Sequence, residues 1–321
     1  MTSKFSLLFL FYISASSLWS QQLPIYNQYR NAQAFINPAS VSSDFFLYEY
    51  NLNFNSSYRA QWISQEDTPR TLTAAGEYIS NFGGAFELLA GVQMMKDQTG
   101  PIGLSGVYGR IGSLLTNDPY FGALGVGISV GYVRYAVNAS SIIWKDPDDP
   151  NILLNDFSVS KPDLGIGIFY YKRLGSRYFS KDNIYVGLSV PQILGARYVV
   201  LDEAREGSIE RVRHYYLSGG WYHFFNSDSF LELSSWVKYL PGNGFNADIN
   251  ARFQPGRTIW FGGGLNMNGI IHLESGVNIP EFFGEDTNLK IAYSFDYSLS
   301  AFGLELGSSH EVTLAVQLAA Y

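Results

Sequence analysis

The chain has 321 residues, with 21 Lys and Arg against 28 Asp and Glu, a net charge of −7, and no cysteine. An acidic balance argues against a nucleic-acid partner, and without cysteine neither a disulfide nor a cysteine-linked lipid is available. Aromatic residues reach 16% while charged residues are only 15%, against about 25% charged in an ordinary soluble domain.

The first twenty residues, MTSKFSLLFLFYISASSLWS, place one positive charge at Lys4 before an apolar run from Phe5 to Ile13, then small and polar residues. That is the layout of a secretory signal peptide. The run is too short for a spanning helix, which needs about 20 residues. Residues 1–20 are therefore read as a cleaved signal peptide; a cut after Ser17 is the alternative, because Leu18 suits a small-residue site poorly.

Residues 21–43, QQLPIYNQYRNAQAFINPASVSS, show neither a helical nor a strand period. They read as an N-terminal periplasmic or lumen-plug segment. Asn37-Pro38 is a turn starter, since Asn bonds its own backbone while Pro fixes φ and pushes Asn37 out of helical space. Tyr26, Tyr29 and Phe35 are expected to plug a lumen, to face a periplasmic partner, or to close an inner rim.

From Asp44 to Tyr321 the period becomes two. In FGALGVGISVGYVRYAV (121–137), Leu124, Val126, Ile128, Val130 and Tyr132 share one face, and Gly125, Gly127, Ser129 and Gly131 share the other. In FNADINARF (245–253) the polar face carries Asn246, Asp248, Asn250 and Arg252; NLKIAYSFDYSL (288–299) alternates in the same way. About 14 such runs begin near Asp44, Thr71, Ala85, Gly103, Tyr120, Pro162, Asp182, Arg211, Ser229, Gly244, Arg257, Gly269, Thr287 and His310. Many reach about ten residues, the length of a tilted membrane strand.

Lipid tolerates only helices or closed barrels, and no apolar window here reaches helix-spanning length. The predicted fold is all-β: a transmembrane outer-membrane β-barrel of about 14 antiparallel strands, residues 44–321, preceded by the signal peptide. An even count returns both termini to the periplasm. PGNG at 241, QPGR at 254 and NMNG at 266 read as tight turns. The long connections from Asn138 and from Leu194 then lie at the cell surface.

Little in the chain points to bond chemistry. The histidines are His214, His223, His272 and His310, and GSSHE (307–311) is the one close Ser/His grouping. Neighbouring strand residues point to opposite faces, so Ser309 and His310 cannot aim together whereas Ser308 and His310 can. No enzyme activity is expected. KDPDDPN (145–151) lacks regular ligand spacing and reads as a solvated acidic loop rather than a Ca²⁺ site. No metal or cofactor is expected. Of the pairs Tyr170/Tyr171 and Tyr215/Tyr216, one ring each should face outward near an interface belt. Inward faces rich in Gly, Ala and Ser, with Phe169, Tyr185 and Trp236, suggest a narrow or filled lumen. Val312, Leu314, Val316 and Leu318 form the lipid-facing phase of the last strand, and Leu318 and Tyr321 are taken as the membrane-assembly signal.

PIYNQYRNAQAFINPASV (24–41) resembles the N-terminal signature of the PorP/SprF family of outer-membrane proteins, associated with the type IX secretion system of Bacteroidetes. PDLGIGIFYY, NIYVGLSVPQIL, HYYLSGGWYHF and YSFDYSLSAFGLELGSSHEVTL resemble the family in the same order, so the resemblance covers nearly the whole mature chain. The resemblance implies structural roles for His310 and Glu311, which fall in the family's hairpin-to-strand signature. It also implies a non-enzymatic partner that helps secrete, or anchors at the cell surface, a large secreted protein with a C-terminal sorting domain, of the gliding or adhesin type. The alternatives are a core component of the secretion and gliding machinery, or a passive porin or hydrophobic-solute transporter. Expected partners are the secreted protein, type IX components and outer-membrane lipid. Candidate partner-binding residues are Tyr26, Tyr29, Phe35 and Asn37 in the opening segment, and Trp144, Asp146, Asp148, Tyr198, Asp202 and Glu203 in the two long connections.

Overall fold

The structure, a computed structural model, describes residues 26, 28–142, 156–175, 182–195, 197–202, 205–299 and 303–320. Among them, fourteen antiparallel strands close into a barrel. In chain order these are β1 (Leu52–Ala60), β2 (Arg70–Ile79), β3 (Phe86–Thr99), β4 (Ile102–Asp118), β5 (Gly122–Val137), β6 (Phe157–Arg173) and β7 (Asn183–Val190). A separate hairpin, β8 (Arg197–Asp202) and β9 (Arg205–Glu210), follows. The wall resumes with β10 (Tyr215–Phe224), β11 (Phe230–Leu240), β12 (Gly244–Gln254), β13 (Ile259–Asn266), β14 (Ile270–Pro280), β15 (Thr287–Ser298) and β16 (Ser309–Leu318). Closure is made by β1 on β16, with Leu52 opposite Leu318 and Ala60 opposite His310. The end where β1 starts and β16 stops is here the terminal end, and the opposite rim the far end.

The period of two sorts the side chains. On β5, Leu124, Val126, Ile128, Val130 and Tyr132 are exposed, while Gly125, Gly127, Ser129 and Gly131 are not. On β12, Asp248, Asn250 and Arg252 are buried inside while Ile249 and Phe253 face out. An apolar exterior around a polar interior is the arrangement of a membrane barrel. Among the described residues no helix is long and apolar enough to cross a membrane. Tyr170 and Tyr215 face outward and Tyr171 and Tyr216 inward.

The wall is uneven in height. β3 to β6 run 14 to 17 residues, whereas β1 has 9 and β7 has 8. β6 pairs with β5 from Phe157 but with β7 only over Ile166–Arg173. Pro162 lies in that one-sided stretch, where the lack of an N–H is tolerated.

All but the first predicted run start within a few residues of a barrel strand. The run placed at Asp44 is corrected: Ser43–Tyr48 is a helix, α2, and the wall begins only at Leu52. The Ser42 hydroxyl accepts from Asp44 N at 3.3 Å to start it, and Glu49 in the left-handed region (φ 66°) ends it. Phe45 and Phe46 are both buried, which a half-exposed strand would not allow but a helix enclosed by the barrel does. A shorter helix, α1 (Gln33–Ile36), precedes it, and α3 (Gly303–Leu306) caps the β15–β16 connection.

Candidate functional site

The lumen is the feature that the fold builds. Residues Gln28 to Tyr48 are buried or half-buried inside the barrel, Glu49 emerges to solvent, and this plug runs along the barrel axis. Tyr26 packs on Trp236 at 6.3 Å and stacks on Phe35 at 5.9 Å, toward the far ends of the strands. Phe46 stacks on Tyr171 at 5.2 Å and meets Tyr222 edge-on at 5.9 Å, near the terminal end. The chain therefore descends from the far half to the terminal end before entering β1. The first described residue, Tyr26, and the last, Ala320, sit toward opposite ends of the barrel.

Sequence explains how a chain can press so closely on the wall. Pro38 and Ala39 lie against inward glycines of β5: a Cβ on Gly127 would stand 2.6 Å from Pro38 O and 2.8 Å from Ala39 Cα. On β6 and β7, Gly167 and Gly187 leave room for the Asn37 amide. Asn37 Nδ2 donates to Ile168 O at 2.9 Å, and its Oδ1 accepts from Ala39 N at 2.9 Å. Ser189 Oγ donates to Ile36 O at 2.6 Å. The turn predicted at Asn37-Pro38 is thus bonded to the wall as well as to itself.

Charges lock the remainder. Arg30 pairs with Glu232 at 3.2 Å and with Glu274, and Arg252 pairs with Glu232 at 2.8 Å. Glu232 and Glu274 thus offset the charge that burial would otherwise leave stranded on Arg30. Asp44 is bound by Lys290 at 2.7 Å and by Gln317 Nε2 at 2.6 Å. Arg110 joins Glu77 and donates to Ser40 O at 2.9 Å, and Glu77 accepts from Ser42 N at 2.9 Å. A buried ion stripped of its partner is strongly destabilising, so these pairs bind plug and wall together. Beside Tyr26, Phe35, Tyr108 and Tyr216 lies a cavity of about 20 Å³, room for one water.

Tyr26, Tyr29 and Asn37 are buried and Phe35 is half-buried, all within the lumen; none faces outward toward a partner. Tyr198 and Asp202 lie on β8, opposite Ile209 and Arg205. Trp144, Asp146, Asp148, Glu203 and Tyr321 lie outside the described residues. Leu318 closes β16 opposite both Leu52 and Thr287. Lys290 is buried in the lumen, on the polar phase that the alternation of NLKIAYSFDYSL gives it; the wall ions Glu77, Arg110, Glu232 and Glu274 went unremarked in the sequence, although their phase opposite the apolar face was a signal for them.

Ser308 Oγ lies 3.0 Å from His310 Nε2, and Tyr293 Oη 2.5 Å from Nδ1. The pair sits on the outward face while Glu311 turns inward to Arg59. Among the described residues no three His, Asp or Glu converge as metal ligands.

A family model described as type IX secretion system membrane protein PorP/SprF matches residues 19–316. Among solved structures, the chain resembles a Pseudomonas aeruginosa FadL homologue at 12% identity and TM-score 0.51, covering 91% of this chain and 94% of that one. It also resembles the Pseudomonas putida toluene transporter TodX at 9% identity and TM-score 0.50, covering 95% of each. At such identities the likeness is one of fold. No curated protein sequence matches significantly.

Proposed function

Because the chain belongs to the PorP/SprF family of type IX secretion system membrane proteins, we propose that this outer-membrane barrel serves as a docking partner for secretion. In this reading it helps one large secreted protein with a C-terminal sorting domain to leave the cell, and holds it at the surface. The observation that supports it is the plugged lumen: among the described residues the barrel is packed with its own ion-paired segment, an arrangement that suits work at its surfaces better than diffusion through it. The far end carries the two long connections, and in this reading it faces outside. Trp144, Asp146, Asp148, Tyr198, Asp202 and Glu203 are the proposed contacts, within an interface of about 1,000 Å² or more.

Affinity capture through a tag inserted near Asp148, from detergent-solubilised outer membranes, tests this. One large secreted protein bearing a sorting domain is the expected prey. Recovery of only the periplasmic machinery would make the barrel a core subunit, and recovery of neither would overturn the docking role.

A second reading, transport of a hydrophobic solute, is favoured by the aromatic cluster of Tyr26, Tyr29, Tyr216 and Trp236 and by the fold shared with TodX, which is named as a toluene transporter. Transport would require the plug to move, since the cavity is of water size. Faster toluene uptake by cells carrying the barrel than by cells lacking it would support that reading.

A further inference from the structure

Three rows of cross-strand neighbours cross the outer face of β2 to β6 near the far end. The lowest, Ala74–Met94–Val107–Tyr132–Pro162, is apolar throughout. Next comes Leu72–Lys96–Ser105–Arg134–Ser160, and above it Arg70–Gln98–Gly103–Ala136–Ser158. In both rows the phase is that of the exposed Val92, Met94, Val130 and Tyr132, so the side chains point away from the lumen.

Three cations therefore share one outward patch where lipid gives way to water. Arg70, Lys96 and Arg134 are all exposed. Lys96 and Arg134 flank the small Ser105, about 10 Å apart at two strand spacings, and Arg70 is a diagonal neighbour of Lys96, about 7–8 Å away. None of the three makes an ion pair among the described residues; Arg134 Nη2 donates to Ser158 Oγ at 3.0 Å. Directly above, Gln98, Gly103, Arg134, Ala136 and Ser158 line a cavity of about 360 Å³ whose floor is low because Gly103 and Ala136 are small. The Asp156 carboxylate also lines it and is engaged by Ser140 N at 2.9 Å.

The opposite sector meets the same boundary differently. There Tyr215, Tyr239 and Phe245 stack in a row, at 6.0 and 4.6 Å, as an aromatic belt, and Arg213 beside it donates its Nε to Ile193 O at 2.6 Å. A chain of net charge −7 that gathers Arg70, Lys96 and Arg134 in one sector, at headgroup height, presents a site for an anion held in the membrane. Guanidinium groups bind phosphate oxygens through two parallel N–H donors, and a lysine adds a point charge.

We propose that Arg70, Lys96 and Arg134, with Ser105, Ser158 and Ser160, form a site for the phosphorylated headgroup of a membrane lipid. The acyl chains would lie on Met94, Val107 and Tyr132, and sugar or glycerol would enter the cavity. The site does not depend on the docking role.

Native mass spectrometry of the full barrel in neutral detergent, with added lipid A, dephosphorylated lipid A, phosphatidylglycerol or phosphatidylcholine, reads it directly. Phosphorylated lipids are expected to be retained over their uncharged counterparts. Preference for lipid A over phosphatidylglycerol would mark the leaflet as the outer one, and the reverse preference a glycerophospholipid source. The triple variant R70Q/K96Q/R134Q should weaken retention on the order of 100-fold. K172Q, an exposed lysine near the terminal end of β6, should leave it unchanged. Heat-modifiable gel mobility confirms that each variant is folded. Equal retention of phosphorylated and dephosphorylated lipid A, undiminished retention by the triple variant, or saturation by inorganic phosphate without acyl chains would each overturn the proposal.

Discussion

The tightest constraint on any single residue falls on the glycines behind the plug. A methyl group at Gly127 meets Pro38 O and Ala39 Cα, backbone atoms that cannot rotate away, so either the plug or β5 must shift. Gly127→Ala is expected to lower unfolding stability by about 1–3 kcal/mol, read as a lower denaturant midpoint of the heat-modifiable form. Gly109, which has nothing near its Cβ position, should tolerate the same change. His214 provides a second test. Burial lowers its imidazole from 6.5 to about 4, with Arg211 and Lys238 adding to the effect, and Nδ1 lies 2.9 Å from Val212 O. The unfolded chain then binds the proton first: stability is complete above pH 6.5, declines as pH falls toward about 4, and is flat below. The full effect is about 3 kcal/mol. His214→Gln should flatten this part of the profile, measured as the difference between the two proteins from pH 7 to pH 4.

At the scale of elements, the plug behaves as one unit fastened at three levels by Arg30, Asn37 and Asp44. Replacing Arg30 with Met leaves Glu274 without its cation and Glu232 with Arg252 alone, a loss of about 3–5 kcal/mol for a broken buried pair. Single-channel recording should find the native barrel silent and Arg30→Met barrels conducting; silence from both would mean that the plug holds without this pair. Strands were easier to read than the plug for a physical reason. A wall strand has one lipid face and one lumen face, so its pattern has a period, whereas the plug is enclosed on every side and Phe45 and Phe46 are buried together. That is why Ser43–Tyr48 resembled the start of a strand. The hairpin of β8 and β9 was hidden within a connection of no clear alternation. Asn37-Pro38 was legible as a turn because its chemistry is local, but the bonds that anchor it, Asn37 to Ile168 and Ile36 to Ser189 across 131 and 153 residues, leave no mark in neighbouring residues.

For the molecule as a whole, the docking reading depends on which way the barrel points. The far end holds the longest connections, the taller β3–β6 wall and the basic patch; the terminal end holds short turns such as Asn226–Asp228 and the last residue of β16. Long loops outside and short turns in the periplasm are the usual rule for such barrels, and the docking reading therefore takes the far end as the outward one. The chain lacks cysteine, so a single introduced thiol reports its own position without background. Gly242, in the β11–β12 turn, is exposed at the far end, and Ser227, in the β10–β11 turn, is exposed at the terminal end. Because Gly242 has a positive φ of 88°, the adjacent Asn243 is the better site for a side chain. On intact cells a membrane-impermeant maleimide should label Asn243→Cys and spare Ser227→Cys, and both should react once the outer membrane is opened. The inverse pattern would put the loops in the periplasm. It would leave the plug and the family assignment untouched, but a surface-exposed client could no longer reach residues 143–155, and the docking partner would have to be sought among periplasmic components.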